Sequence, residues 1–325
     1  MKIGLSPFLQ WRFNLFLYLT FGWKVARFYV FFLGNLYFFL NQKEKNRIEN
    51  ALSEVIGSRN PASHIAKIKK EVFKNILSHY YEKLFIAYEE KERAAKFLKE
   101  RIFSDDLKKL NQKLSKGKGV IMVSGHYGAI EYIPTLLAVH NLPVSMIAKF
   151  KTEHLRKKIF EQAEKYHITM IDAEASDNVL ITAMNELRKN RILVTQCDEV
   201  EEWRPSDRQK TSFLGRTVGV DRTINIMKKR SGAEIVFGVI HRYTLDDYQL
   251  MVYDYEAMLE ILNISSTLSV GEILLKFLER CIYKYPEQWY EWKKYYHIKT
   301  FPVSNRTCDS PALPFILKPT FGKVT

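Results

Sequence analysis

Gly119-Val-Ile-Met-Val-Ser-Gly-His126-Tyr-Gly-Ala-Ile-Glu131 is the stretch from which the rest of the chain is read. The apolar run Val120 to Val123 has the length and composition of a buried strand, and it delivers His126 onto a Ser-Gly turn. The following residues, Ala129–Val139, fit a helix. In α/β sheets such strand-to-helix junctions are where sites gather. Glu131 follows His126 by five positions, which on an ideal helix differ by ~140° and do not face each other. The two meet only if His126 is still in the turn and Glu131 is inside the helix, a bend that Gly125 and Gly128 permit. A carboxylate bonded to one ring nitrogen would then fix the tautomer and leave the other nitrogen as a general base. Ser124 is adjacent, but residue 122 is Met, so the G-x-S-x-G elbow of a serine hydrolase is not formed. The attacking hydroxyl is therefore read as the substrate's. Taken alone, the pair is equally well explained by a capped helix start.

Working outward, short apolar runs recur at Val144–Ala148, Ile168–Ile171, Ile192–Thr195, Ile235–Ile240 and Leu250–Tyr253. Helical patterns lie between them at His154–Tyr166, Asn178–Lys189, Asp221–Ser231 and Val270–Tyr285. Strands alternating with helices of this length predict an α/β layered domain around a largely parallel sheet. Before residue 118 the spacing is helical, with segments Arg47–Ile56, Ala62–Phe85 and Asp105–Leu114 mixing Lys, Glu and apolar residues. The expected organisation is a membrane anchor over residues 1–42 and one domain over 43–300, with a helical entry at 43–115 and an α/β core at 118–300. Residues 301–325, with Pro302, Pro311, Pro314 and Pro319, read as an extended tail.

Residues Leu5 to Leu40 are dominated by Phe, Leu, Tyr and Trp, interrupted by Arg12, Lys24 and Arg27. The uncharged runs Phe13–Trp23 and Phe28–Gln42 fall short of the ~18 apolar residues of an unambiguous spanning helix. At ~100° per residue, Thr20, Lys24, Arg27 and Asn35 fall on one narrow stripe, broken by Phe31. The pattern fits a monotopic or obliquely inserted anchor whose Lys and Arg snorkel to headgroups. No small-residue cleavage site follows the basic start, which argues against a signal peptide. Residues 1 to 48 hold seven Lys or Arg and one acid, Glu44, placing that side on the cytoplasmic face.

Composition bounds the partners. A hydrophobic content of 46% with 26% charged residues is that of a globular chain. The net charge of +14 favours nucleic acid, anionic lipid or an acidic carrier protein. No nucleic-acid-binding module is recognisable, and the greasy amino-terminal segment speaks against that partner. Cys197, Cys281 and Cys308 are odd in number and far apart, so they read as free thiols. The eight histidines form no metal-binding pattern, and no metal is expected.

Further segments give the pair at residue 126 a context. Arg191-Ile-Leu-Val-Thr-Gln-Cys-Asp198 is a strand that ends on an acid. Ser212-Phe-Leu-Gly215 is a loop before Thr217 and the helix Asp221–Ser231. Ser231 to Arg242 runs through a strand into a basic residue, and Tyr285-Pro-Glu-Gln-Trp-Tyr-Glu-Trp-Lys293 carries Pro-Glu-Gln-x-x-x-Trp. In this order, after an apolar start and a His-x4-Glu, these segments resemble the bacterial lipid A biosynthesis acyltransferase family, the late or secondary acyltransferases. The resemblance covers nearly the whole chain to about Lys299. Lys149 stands where the family usually has arginine, and Lys165 is the nearest basic residue to a second family arginine.

The resemblance implies a glycerolipid-acyltransferase-like fold and an acyltransferase at the bacterial inner membrane, on its cytoplasmic face. It would move a fatty acyl chain from an acyl-acyl carrier protein, or acyl-CoA, to a hydroxyl of a phosphorylated glucosamine lipid, with no bound cofactor. His126 is then the general base, Glu131 the group that orients it, and Asp198 a third site residue. Lys149, Arg216, Arg222 and Arg242 are candidates for gripping substrate phosphates or the donor's phosphopantetheine. The same chemistry on a glycerophospholipid or another glycolipid is the nearest alternative. A non-catalytic membrane-binding protein is a more distant one.

Overall fold

The computed structural model describes residues 12–59, 61–150, 152–174, 178–199, 205–264 and 267–301, together with Leu5 and Leu9. The proline-containing tail beyond Phe301, and Cys308 with it, lie outside the described residues. Cys197 and Cys281 are free thiols.

Among the described residues, four helices precede the core: α1 (Arg12–Leu40), α2 (Gln42–Ile56), α3 (Ala62–Tyr88) and α4 (Lys91–Arg101). A two-residue strand β1 (Ile102–Phe103) and α5 (Leu107–Leu114) lead into the sheet. It contains β2 (Val120–Ser124), β3 (Val144–Ala148), β4 (Thr169–Asp172) and β5 (Ile192–Gln196). The connecting helices are α6 (Ile133–Val139), α7 (Glu153–Lys165) and α8 (Val179–Arg188). A separate antiparallel hairpin, β6 (Pro205–Phe213) and β7 (Arg216–Asp221), follows. The chain then forms α9 (Thr223–Ser231), β8 (Glu234–Arg242), β9 (Tyr248–Asp254), α10 (Tyr255–Leu262) and α11 (Val270–Lys284).

The seven-stranded sheet runs β1-β9-β8-β2-β5-β3-β4. From β8 to β4 all neighbours are parallel, and only the β8–β9 pairing is antiparallel. β2 is central, and its five residues are all buried, which is why it reads as an unbroken apolar run rather than an alternating one. All six strands expected from the sequence are present. The expected Ala129–Val139 helix is instead a short 3-10 turn, Ile130–Tyr132, followed by α6, because Pro134 fits only the first turn of the helix. The hairpin β6–β7 takes the place of the loop read around Ser212–Gly215.

α3 joins the amino-terminal helices to the sheet domain. Its apolar residues Val72, Ile76, Leu77, Leu84 and Phe85 are buried, yet so are Asn75, His79 and Glu82. The partners of these polar groups lie in the site.

The amino-terminal segment is one element broken at Gly22, whose φ of 76° is left-handed backbone inside the helix. One side of α1 packs on α3. Trp23 stands edge-on to Tyr81 and Phe85 at 6.0 and 5.6 Å, and Phe38 meets Phe73 at 4.9 Å. The opposite side is apolar and exposed: Phe21, Val25, Phe28, Phe32, Leu36 and Phe39 recur at three and four spacing. Among the described residues, no helix is long and apolar enough to cross a membrane.

The polar stripe expected on this helix is placed differently. Arg27 turns inward, donating to Asp246 at 2.6 Å with its guanidinium 5.0 Å from the Tyr81 ring, instead of reaching outward as a snorkelling cation. Thr20 and Asn35 donate to the carbonyls of Phe16 and Phe31 in their own helix. Each thus has one polar hydrogen satisfied within the helix.

Candidate active site

β2 and β5 are adjacent and parallel, with Ser124 registered against Gln196. The pairing runs one step further, because the N–H of Cys197 donates to the Ser124 carbonyl at 2.9 Å. Both chains then turn off the sheet edge, and the next residues brought level are His126 and Asp198.

Asp198 is fully buried and every contact it makes is directed. The His126 main-chain N–H donates to its two oxygens at 3.1 and 2.9 Å. His126 Nδ1 lies 3.0 Å from Oδ1, and the Trp289 indole N–H donates to Oδ2 at 2.8 Å. With Nδ1 donating to the carboxylate, the free lone pair of a neutral His126 is on Nε2. Nε2 faces Glu199, whose partly exposed carboxylate is 3.3 Å away. Burial alone would lower the imidazole pKa. The charge and hydrogen bond of Asp198, followed by those of Glu199, override it and hold the ring well above its usual value.

The loop that carries His126 is pinned from the Pro-Glu-Gln-Trp side. Tyr127 and Trp289 form an antiparallel bridge. Gly128 N–H donates to the Gln288 carbonyl at 2.9 Å, Tyr290 N–H to the His126 carbonyl at 3.1 Å, and Ala129 N–H to the Ile240 carbonyl at 2.8 Å. Gly128 has a φ of 60°, and a β-carbon there would collide with the Ile240 carbonyl oxygen. The amide of Gln288 clasps the Arg242 main chain in both directions, at 2.9 and 3.2 Å.

Residues 6–296 match the bacterial lipid A biosynthesis acyltransferase family. The chain belongs to that family. Among curated proteins, none matches it. Membership in this lipid A acyltransferase family supports acyl transfer in lipid A-related metabolism at a membrane, with an acyl donor as co-substrate.

Within this chain, the expected pairing of His126 with Glu131 is replaced by His126 with Asp198. The strand register turns the imidazole toward β5. Glu131, in the 3-10 turn, points to α3, where Lys83 Nζ is 3.4 Å and His79 Nδ1 3.5 Å from the same oxygen. The His79 approach does not meet hydrogen-bond geometry, so this buried nitrogen has no hydrogen-bond partner. Burial, then the positive charge of Lys83, hold His79 well below its usual pKa, so the ring is neutral.

Tyr290 connects the two groups. Its ring stacks on His79 at 3.7 Å and 13°, and stands edge-on to His126 at 5.5 Å. Burial, then the carboxylates of Glu131, Glu291 and Asp198, push its hydroxyl pKa well up.

The basic candidates are spread apart. Arg242, expected to grip substrate, is buried. Its guanidinium donates to both oxygens of Glu82 at 2.8 Å, to Asn75 at 2.9 Å and to the Gly128 carbonyl at 3.1 Å. It supports the His126 loop from behind, with four hydrogen bonds from its guanidinium. Burial drives the Glu82 carboxyl pKa up against the pull of Arg242. Lys149, at the end of β3, lies 3.0 Å from Glu174. Arg216 lies over Tyr295 at 4.2 Å with Glu54 at 3.5 Å, tying β7 to α2 and the carboxyl-terminal segment. Arg222 is exposed at the start of α9.

Glu199, Trp289, Tyr290, His79 and Lys83 were not singled out from the sequence. Glu199 directly follows Asp198. Trp289 and Tyr290 sit within the Pro-Glu-Gln-x-x-x-Trp segment, which entered the sequence reading only as part of the resemblance. The trace left by α3 is three polar residues, His79, Glu82 and Lys83, at helical three and four spacing among apolar neighbours.

Proposed function

We propose that this chain transfers a fatty acyl group from the thioester of an acyl-acyl carrier protein to a hydroxyl of a lipid A precursor, with His126 as general base. The observation that carries the reading is the Asp198-bound imidazole of His126 in a chain of this family, with no competent protein nucleophile beside it among the described residues. Ser124 is wholly buried and directed to its neighbour's carbonyl at 3.4 Å. Burial pushes the adjacent Cys197 thiol well above its usual pKa. The nucleophile then belongs to the acceptor.

In the forward step, neutral His126 takes the acceptor hydroxyl proton on Nε2 while the oxygen attacks the thioester carbonyl. The tetrahedral adduct collapses with loss of the phosphopantetheine thiolate, which recovers the proton from Nε2. Asp198 keeps Nδ1 protonated throughout and stabilises the imidazolium. Glu199 stabilises the resting imidazolium, which releases its Nε2 proton to solvent before the neutral ring can act as the base. The catalytic pair in this reading is His126 with Asp198, and Glu131 lies outside it.

The surroundings support the partners. A net charge of +14 suits an acidic carrier protein, a phosphorylated lipid and an anionic leaflet together. The apolar outer side of α1 fits shallow insertion, because its Thr and Asn groups are already bonded within the helix. The basic excess before residue 48 supports the cytoplasmic face.

Mass spectrometry of lipid A from cells lacking the gene tests the reading. Loss of one non-hydroxylated acyl chain, restored by the wild-type gene and not by His126→Ala, is the expected result. Unchanged lipid A alongside an altered phospholipid profile would transfer the chemistry to a glycerophospholipid acceptor.

A further inference from the structure

We infer that Phe213, at the tip of the β6–β7 hairpin, is a positioning residue for the transfer step: its ring holds the Trp289 indole in the orientation that keeps the N–H on Asp198. The inference rests on the acyl-transfer reading of His126. Phe213 is fully buried and stands edge-on to Trp289, with ring centroids 6.2 Å apart and planes at 87°. Trp292 meets Trp289 in the same edge-on way, at 4.9 Å and 80°. Edge-on contact is a preferred geometry for aromatic pairs. The torsion that turns an indole about its own side chain is soft, and the N–H swings with it. The bridge of Trp289 to Tyr127 sets its main chain, and the flanking rings of Phe213 and Trp292 restrict that rotation.

The tip that carries Phe213 is held more firmly than a hairpin turn requires. Its turn residues, Leu214 and Gly215, have φ of 50° and 78°, both in the left-handed region. Hairpin turns with two such residues favour Asn-Gly, and leucine is strained there. Strain of this kind persists where the surroundings over-determine it. The Leu214 side chain is buried, its N–H donates to Glu279 Oε1 at 2.6 Å, and its carbonyl accepts from the Tyr295 hydroxyl at 3.2 Å. On the other flank, Lys276 Nζ donates to the Ser212 carbonyl at 2.7 Å. The residues before and after Phe213 are thus each anchored, from α11 and from the carboxyl-terminal segment. The anchored ring begins a line of contacts to the base. Phe213 meets Trp289, the indole N–H donates to Asp198 Oδ2 at 2.8 Å, and Asp198 Oδ1 lies 3.0 Å from His126 Nδ1.

A double-mutant cycle on the full-length chain in detergent micelles separates positioning from packing. The assay uses an acyl carrier protein thioester and a phosphorylated, acylated glucosamine disaccharide. Phe213→Leu should lower kcat roughly fivefold and leave both KM values within about twofold of wild type. In a Trp289→Phe background the same substitution should change kcat by less than about twofold, because the N–H it serves is already gone. The indole N–H resonance of Trp289, assigned by its loss in Trp289→Phe, should shift in Phe213→Leu, a readout independent of turnover. Phe213→Met, a milder truncation, carries the same expectations where Phe213→Leu fails to fold. Equal losses of kcat in the two backgrounds would make Phe213 a packing residue and overturn the inference. So would an unshifted indole resonance with unchanged kcat. Full transfer by His126→Ala would instead overturn the underlying acyl-transfer reading, and the indole resonance would still report whether Phe213 holds the ring.

Discussion

His126 and Asp198 each stand two residues beyond Ser124 and Gln196, a registered pair on neighbouring parallel strands. The register therefore delivers imidazole and carboxylate to the same level at the carboxyl edge of the sheet, Nδ1 to Oδ1 at 3.0 Å. The 72-residue separation in sequence is bridged by backbone hydrogen bonding alone, before any side-chain preference enters.

Asp198 sets both the tautomer and the basicity of His126, so the pH–rate profile reads it directly. A base acts only when deprotonated, and the folded imidazole pKa is raised by Asp198 and Glu199 against burial. The rate should therefore rise with pH through a midpoint above the ordinary histidine value of about 6.5. Glu199→Gln removes one of the two charges and should move that midpoint toward acid. Asp198→Asn should move it further, and should lower kcat by roughly a thousandfold or more by presenting the wrong partner to Nδ1. The sign for stability is the opposite of that for rate. The raised imidazole pKa gives stability that is complete below about pH 6.5 and lost as pH climbs through the folded value. A midpoint that stays in place in both variants would remove Asp198 and Glu199 from this role.

Trp289 couples the Pro-Glu-Gln-Trp segment to the chemistry through one bond, indole N–H to Asp198 Oδ2 at 2.8 Å. Trp289→Phe keeps most of the buried ring and deletes the donor. A lost hydrogen bond to a buried charged group costs about 1.5–3 kcal/mol. We expect kcat to fall by at least tenfold, with the acceptor KM little changed and a smaller effect from Trp292→Phe. The Trp292 indole N–H goes to the Pro286 carbonyl, away from the carboxylate. Equal losses in the two variants would show that both rings act by packing alone.

The sheet was legible because a buried parallel strand writes itself as a short apolar run rich in β-branched residues, as β2, β5 and β8 do, whereas β9, antiparallel to β8, shows alternating burial. The site was less legible. Residues 126 and 131 are close in sequence, and that proximity suggested a contact. Which strand lies beside β2 is settled by long-range pairing, and a single chain carries no local mark of it. Arg27 illustrates the same limit: on a helical wheel it joins an outward stripe, whereas its partner Asp246 lies 219 residues away in the β8–β9 turn. Arg242 read as a cation free to grip substrate because its counter-charge, Glu82, is on α3. Asp198 was named only through the family resemblance of its strand end, and nothing local in the sequence marks its partner.

The Arg242–Glu82 pair makes a statement about stability. Both side chains are buried, and the guanidinium also holds the Gly128 carbonyl. Arg242→Met would leave an unpaired carboxylate in the interior and should cost about 3–5 kcal/mol, read as a lower midpoint in chemical denaturation. Arg242→Met with Glu82→Leu removes both charges and should recover a large part of that loss. Activity should remain low in the double variant, because the His126 loop has lost the donor behind Gly128. Recovery of stability and activity together would mean that the pair has no part in shaping the loop.

The outer face of α1 separates membrane attachment from folding. Phe28, Phe32 and Phe39 are 74%, 56% and 71% exposed, so they contribute little to packing against α3. On the proposed membrane contact, a lipid surface removes them from water, at about 2 kcal/mol for each ring buried. Phe28→Asp with Phe32→Asp should therefore lower partitioning onto anionic vesicles by more than tenfold and leave the thermal midpoint near that of wild type. Activity on a detergent-dispersed acceptor should persist, while activity on acceptor embedded in vesicles should fall with binding. Lys24→Gln, on the same helix and exposed, should weaken vesicle binding only at low ionic strength, since its contribution is screened by salt. Undiminished sedimentation of the double variant with vesicles would rule out the α1 stripe as the membrane-contacting surface.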